Sequence, residues 1–129
     1  MVIDTSAIVA IALREPSAAA FLAVILSASS REVSIVSYVE AGTVLAPRGV
    51  TPDRLDALID ELGLTLIPVD GAQGRAAIRA RITYGKGTGH PAQLNFGDTF
   101  TYALAKTRGA PLLFVGDDFA HTDLIDARA

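Results

Sequence analysis

The chain has no cysteine and no tryptophan, one methionine and only two histidines among its 129 residues. Lack of cysteine removes a disulfide framework, a thiolate metal site and a thiol nucleophile together, and fits a reducing compartment. Long hydrophobic runs are missing too. The longest apolar stretch, Ala18 to Leu26, falls far short of the ~20 residues that span a bilayer. The first residues do not read as a secretory signal, because they contain Asp4 and no basic residue before their apolar stretch. A cytoplasmic protein that makes no membrane contact is the expectation. "GKGTG" at Gly85 to Gly89 lacks the spacing of a phosphate-binding P-loop. Neither His90 nor His121 accompanies a nucleophile elbow, which argues against a Ser-His-Asp hydrolase. Asp4 is followed by Thr5-Ser6-Ala7, so the D-x-D-x-T pattern of a phosphorylated aspartate is absent as well.

Half of the residues are apolar and 19% are charged, the balance of a compact globular protein. Residues 1–129 read as one domain without internal repeat or linker. The net charge of −3 argues against a protein that coats nucleic acid, yet acid is unevenly spread. From Gly71 to Gly97 there is no Asp or Glu, while Arg75, Arg79, Arg81, Lys86 and His90 all fall there. This segment is either a solvated helix face or a guide for a polyanion.

Short apolar strands are expected at residues 1–3, 33–36, 64–69 and 112–115, where β-branched and leucine-rich runs sit between turn residues. Helices are expected from Thr5 to Leu13, after Pro16-Ser17, from a Ser37 cap through Glu40 towards Leu45, and after Thr51-Pro52-Asp53. Two more run from an Asp70 cap to Tyr84 and from Phe96 to Arg108, the last stopped by Gly109 and Pro111. Strands too apolar to face water, alternating with helices, predict an α/β fold with a parallel sheet covered by helices on both faces. Ligands bind such sheets beyond the carboxyl ends of the strands.

Asp4 follows the first strand, Glu40 lies in the first turn after the second, Asp98 opens the helix that leads to the last strand, and Asp117-Asp118 follow that strand. The topology therefore gathers them on one rim. Bare carboxylates held together repel and take up protons, a penalty that a divalent cation removes. Oxygen ligands without thiol suit Mg²⁺, and a metal so held is equipped to cleave a phosphodiester. The competing reading makes Asp4, Asp70 and Asp98 ordinary helix caps in a noncatalytic interaction module. Glu40 discriminates best, since it stands beside Tyr38, Val39 and Ala41 where a core residue is expected.

"VIDTSAIV", "SYVEAG", "NFGDTFTYALAK" and "LLFVGDDF" resemble, in order and spacing, the motifs of PIN-domain ribonucleases, and in particular the VapC-type toxins of bacterial toxin–antitoxin modules. The resemblance covers the whole chain. It implies a PIN-like α/β/α domain that cleaves RNA by metal-activated water with Mg²⁺ or Mn²⁺, leaving a 5′-phosphate and a 3′-hydroxyl. By the same resemblance Asp4, Glu40 and Asp98 are catalytic metal ligands, and a fourth carboxylate comes from "GDD", with Asp117 preferred over Asp118. Thr5, Ser6 and Asn95 occupy supporting positions. Implied partners are a cognate VapB-type antitoxin and a second copy of the chain, in a homodimer or a larger complex with antitoxin. Ala18 to Leu26 is a candidate dimer face, though the core is its more natural place.

Overall fold

The computed structural model describes residues 1–128. Its order of elements is β1 (Val2–Ile3), α1 (Thr5–Ala12), α2 (Ala18–Ser27), β2 (Glu32–Ser34), α3 (Ile35–Leu45), α4 (Pro52–Glu61), β3 (Thr65–Ile67), α5 (Gly71–Tyr84), α6 (Phe96–Arg108) and β4 (Leu112–Leu113). Short 3₁₀ turns follow α3 at Ala46–Arg48 and β4 at Asp118–His121.

The four strands are all parallel in the order β3-β2-β1-β4. Successive strand residues point to opposite faces, and the core divides accordingly. Ile3, Val33 and Leu113 meet Ile8, Ile11, Phe21, Ile25, Leu45 and Leu55 from α1–α4 on one side. Val2, Leu112 and the following Phe114 meet Ala80, Tyr102 and Leu104 from α5–α6 on the other. Every one of these strand side chains is essentially inaccessible, and each contributes roughly 1.5–3 kcal/mol by leaving water. The expected α/β class with helices on both faces is what the chain adopts. Helix α2 turns Phe21 and Ile25 into the core with Ala18, Leu22 and Val24 partly buried against it, while Ala19, Ala20, Ala23 and Leu26 of the run are exposed.

Several boundaries differ from the sequence expectation, for local reasons. The second strand ends at Ser34, not Val36, because the Ser34 hydroxyl caps α3 by accepting from Val36 N–H (3.2 Å). Ser37 is therefore inside the helix rather than its cap, and Glu40 lies in the second turn, not the first. Ser17 occupies the N-cap position of α2 without making a side-chain cap bond. The third and fourth strands are shorter than their apolar runs, since only Thr65–Ile67 and Leu112–Leu113 find ladder partners. The caps expected at Thr51 and Asp70 are present, accepting from the N–H of Arg54 and Gln73. Gly109 ends α6 in the left-handed conformation (φ 61°), where a side chain would be strained.

The chain winds outward from β1 through β2 to β3 and returns to the opposite side of β1 with β4. The order therefore reverses at β1/β4, and the crevice beyond their carboxyl ends is where such a sheet takes a ligand. No helix among the described residues is long and apolar enough to cross a membrane.

Candidate active site

Asp4 is the first residue past β1, and its backbone is still tied to the sheet by donating its N–H to the Leu113 carbonyl (2.9 Å). Its side chain is 4% exposed and, as N-cap of α1, accepts from Ser6 N–H (3.0 Å). The Ser6 hydroxyl donates to the same Oδ2 (2.7 Å) and accepts from Val115 N–H (3.0 Å), which links Asp4 to the segment leaving β4. Oδ1 accepts from the buried Thr101 hydroxyl on α6 (2.9 Å).

Glu40 reaches the same cleft from α3 and accepts from the Thr5 hydroxyl (2.7 Å). It lies against the first turn of α6 at Gly97. A Cβ there would run into its carboxylate, 2.9 Å from Cδ and closer still to Oε2. Only glycine at 97 lets Glu40 come this near a helix N-terminus, where the dipole favours negative charge.

Asp98 forms a reciprocal capping box with Asn95: it accepts from Asn95 N–H (2.9 Å), and the Asn95 side chain accepts from Asp98 N–H (2.9 Å). Burial raises its pKa, the bond from Asn95 opposes the rise, and the charges of Asp4, Glu40 and Asp118 add to it, leaving Asp98 pushed up to about 7. Asp4, Thr5, Ser6, Glu40, Asn95 and Asp98 line one open cleft of about 290 Å³.

Asp117 and Asp118 are both exposed. Asp117 precedes the 3₁₀ turn and adds to the charge acting on Arg128. It is Asp118, inside that turn, whose charge contributes to the shift of Asp98. The turn is anchored by Phe119 against Phe114 and by Arg128, which donates to the Gly116 carbonyl (2.8 Å) and covers the Phe114 ring.

The structure thus brings Asp4, Glu40 and Asp98 together and places Asp118 within electrostatic reach. Among the described residues no group of three or more acidic or histidine side chains is closed tightly enough to hold a metal ion as it stands. The donor chemistry nevertheless suits a hard divalent cation: hard oxygens only, excess negative charge, and one carboxyl raised by burial and by its anionic neighbours. The side chains that hold Asp4 and Glu40 in place were only partly foreseen. Thr5 and Ser6 were expected as supports and Ser37 only as a helix cap, whereas Gly97 and Thr101 were not singled out. Thr101 stands three residues after Asp98, and that spacing on one helix face was the available signal.

Beside the cleft, Phe96 is 75% exposed and separates two apolar grooves. One, of about 550 Å³, runs along Ile35, Val36 and Val39 to Glu40. The other, of about 400 Å³, lies between α5 and α6 at Ile78, Ile82 and Phe100, with Arg81 at its edge.

Residues 1–124 match the PIN domain family, and the chain belongs to that family. It is 43% identical to ribonuclease VapC42 of Mycobacterium tuberculosis (strain ATCC 25618 / H37Rv), over 96% of each chain. To ribonuclease VapC28 of the same organism it is 46% identical, over 95% of this chain and 93% of the relative. The fold is shared with the crystal structure of Mycobacterium tuberculosis VapC20, a sarcin-ricin loop cleaving toxin (TM-score 0.76, 15% identity, 97% and 96% coverage). It is likewise shared with a chain of a toxin–antitoxin complex from Klebsiella pneumoniae (TM-score 0.72, 14% identity, 98% and 96% coverage).

Proposed function

We propose that this chain is a VapC-type ribonuclease, the toxin of a VapBC-type toxin–antitoxin module, which cleaves RNA phosphodiester bonds with a divalent cation, Mg²⁺ or Mn²⁺. The observation that carries the reading is the cleft in which Asp4, Glu40 and Asp98 converge, with Asp98 raised by burial and further by its anionic neighbours, in a chain of the PIN family. Asp4, Glu40 and Asp98 hold the cation. A fourth carboxylate comes from the turn after β4. The sequence favoured Asp117, but the electrostatic reach of Asp118 to Asp98 supports Asp118 for that place.

When bound, the cation supplies an acidified water as nucleophile and positive charge for the leaving oxygen. The residues of the chain do the rest. Asp4, fixed to the sheet and to α6, sets the position of the site. Glu40 approaches through the gap at Gly97. Asp98, bound to Asn95 and raised by burial and its anionic neighbours in the metal-free protein, would give up its proton to hold the cation. Arg75, Arg79 and Arg81 on the exposed side of α5 offer the RNA backbone a positive approach to an acidic cleft.

A VapB-type antitoxin is the expected partner, supported by the relatives and by the toxin–antitoxin complex that shares the fold. A homodimer belongs to the same reading, and the exposed Ile78, Ile82 and Phe96 give a second copy an apolar surface to cover. The cytoplasm, where RNA is met, is the proposed place of action. The noncatalytic alternative accounts for Asp4, the N-cap of α1, and for Asp98, the N3 partner in the capping box of α6, but does not explain why Glu40 joins them in one cleft and sets family membership aside.

The test is RNA cleavage by the purified chain with Mg²⁺ or Mn²⁺. Activity that vanishes in EDTA and in Asp98→Asn supports the reading. Cleavage that survives both, or a folded wild type that cuts no RNA under any metal, overturns it.

A further inference from the structure

Threonine inside a helix commonly returns its hydroxyl to its own backbone. On α6, Thr99 does so towards the Phe96 carbonyl (2.6 Å) and Thr107 towards that of Ala103 (2.9 Å). Thr101 does not. Its hydroxyl is 2.9 Å from Asp4 Oδ1 and 2.8 Å from the Ser37 hydroxyl, and all three residues are buried.

The direction of these bonds follows from chemistry. An ionised carboxylate only accepts, so Thr101 spends its single hydrogen on Asp4, and Ser37 must donate to Thr101. A second chain of the same kind runs from Val115 N–H to the Ser6 hydroxyl and on to Asp4 Oδ2. Oδ2 also receives Ser6 N–H. A carboxylate offers about four lone-pair positions. The two at Oδ2 are taken, and one at Oδ1 is taken by Thr101.

We infer that Thr101, backed by Ser37, is a positioning residue that fixes the Asp4 carboxylate so that Oδ1 alone keeps a lone pair for a cation. This rests on the metal-dependent reading above and adds to it the atom through which Asp4 binds and the helix that holds that atom still. Valine fills the space of threonine without the hydroxyl. Thr101→Val therefore removes the bond that holds Oδ1, leaving the carboxylate tied through Oδ2 alone, and takes away the acceptor of Ser37, while the apolar packing of α6 persists.

The experiment is Mn²⁺ titration of the purified full chain, followed by the EPR signal of free Mn²⁺, with thermal melting in EDTA as a measure of folding. Loss of an outer partner of a metal ligand typically weakens binding by roughly 10–100-fold, and that range is expected for Thr101→Val. Thr101→Ser restores the donor and brings affinity back towards the wild type. Thr99→Val on the same helix leaves it unchanged. Ser37→Ala, which removes only the group behind Thr101, gives a smaller loss in the same direction and serves if Thr101→Val does not fold. Wild-type affinity in folded Thr101→Val, or equal losses in Thr101→Val and Thr101→Ser, overturns this inference alone. Absence of Mn²⁺ binding by the wild type overturns the metal-dependent reading with it.

Discussion

Removing the charge of Asp98 is expected to make the metal-free protein more stable at alkaline pH, although the residue sits in a capping box. Its carboxyl is raised from the ordinary 3.8 to about 7 by burial and by Asp4, Glu40 and Asp118. The folded state therefore keeps a proton that the unfolded chain has already lost. Stability from this group is complete below pH 3.8 and falls as pH rises through 7, since the folded state binds the extra proton. At about 1.4 kcal/mol per tenfold step the cost above pH 7 is about 4 kcal/mol at most, and partial exposure of the group reduces it to about 2 kcal/mol. In Asp98→Asn the amide oxygen still accepts from Asn95 N–H, and the lost attraction to the helix dipole subtracts about 0.5 kcal/mol. The net gain is about 1–2 kcal/mol, which for a chain of this size raises Tm by roughly 3–8 °C. Melts in EDTA from pH 4 to pH 8.5 check this. The wild-type curve should decline across the range relative to the variant, with the gap opening between pH 4 and 7. Added Mn²⁺ should then stabilise the wild type far more than the variant. Parallel pH profiles, or a variant less stable than wild type at pH 8.5 in EDTA, would refute the charge-crowding argument.

The architecture was legible because its determinants are local. Apolar strands, alternation with helices and stop signals such as Gly109 with Pro111 lie within a few residues of what they specify. The rim followed from topology, since in a parallel sheet the residues after each strand share an edge. The α3 boundary was misread because Ser34 and Ser37 are equally good caps in sequence. Tertiary context decided between them, placing Ser34 at the strand end and Ser37 under Thr101. The opposition between cap and ligand was also too sharp. Asp4 is a helix N-cap, Asp98 completes a capping box, and both are members of the acidic cleft. One carboxylate oxygen can take a backbone N–H while the other faces the cleft, so a cap at a strand's carboxyl end is a natural origin for a ligand. Gly97 and Thr101 were invisible for a different reason. Their partners, Glu40 and Asp4, are distant in sequence, and only packing of α6 against α3 and β1 reveals them.

Gly97→Ala should leave folding stability within about 1 kcal/mol of wild type, because alanine favours a helix over glycine and Glu40 can swing aside. It should still lower cleavage strongly; unchanged activity would show that the approach of Glu40 at Gly97 is dispensable. Arg75→Ala with Arg79→Ala removes two exposed cations one helical turn apart. Weaker RNA binding is expected, with a salt slope shallower by roughly 0.7 per lost phosphate contact, and an unchanged slope would return both to solvent-facing roles. The remaining prediction decides the fourth carboxylate. Asp117 comes first after the strand, which favoured it in sequence, but Gly116 turns the chain with φ 88°. After that turn Asp117 lies within the field of Arg128, while Asp118 acts on Asp98. Asp118 precedes Phe119, whose ring packs on Phe114 and fixes the turn on the core. The charge of Asp118 thus bears on the cleft, and that of Asp117 on the C-terminal segment. Asp118→Asn should relieve Asp98, lower its pKa and reduce cleavage, with little change in Tm. Asp117→Asn should act on Arg128 and leave cleavage near wild type. The pKa of Asp98 is followed by NMR titration of its carboxyl carbon in the metal-free protein. Should Asp117→Asn abolish cleavage while Asp118→Asn spares it, the fourth ligand returns to Asp117.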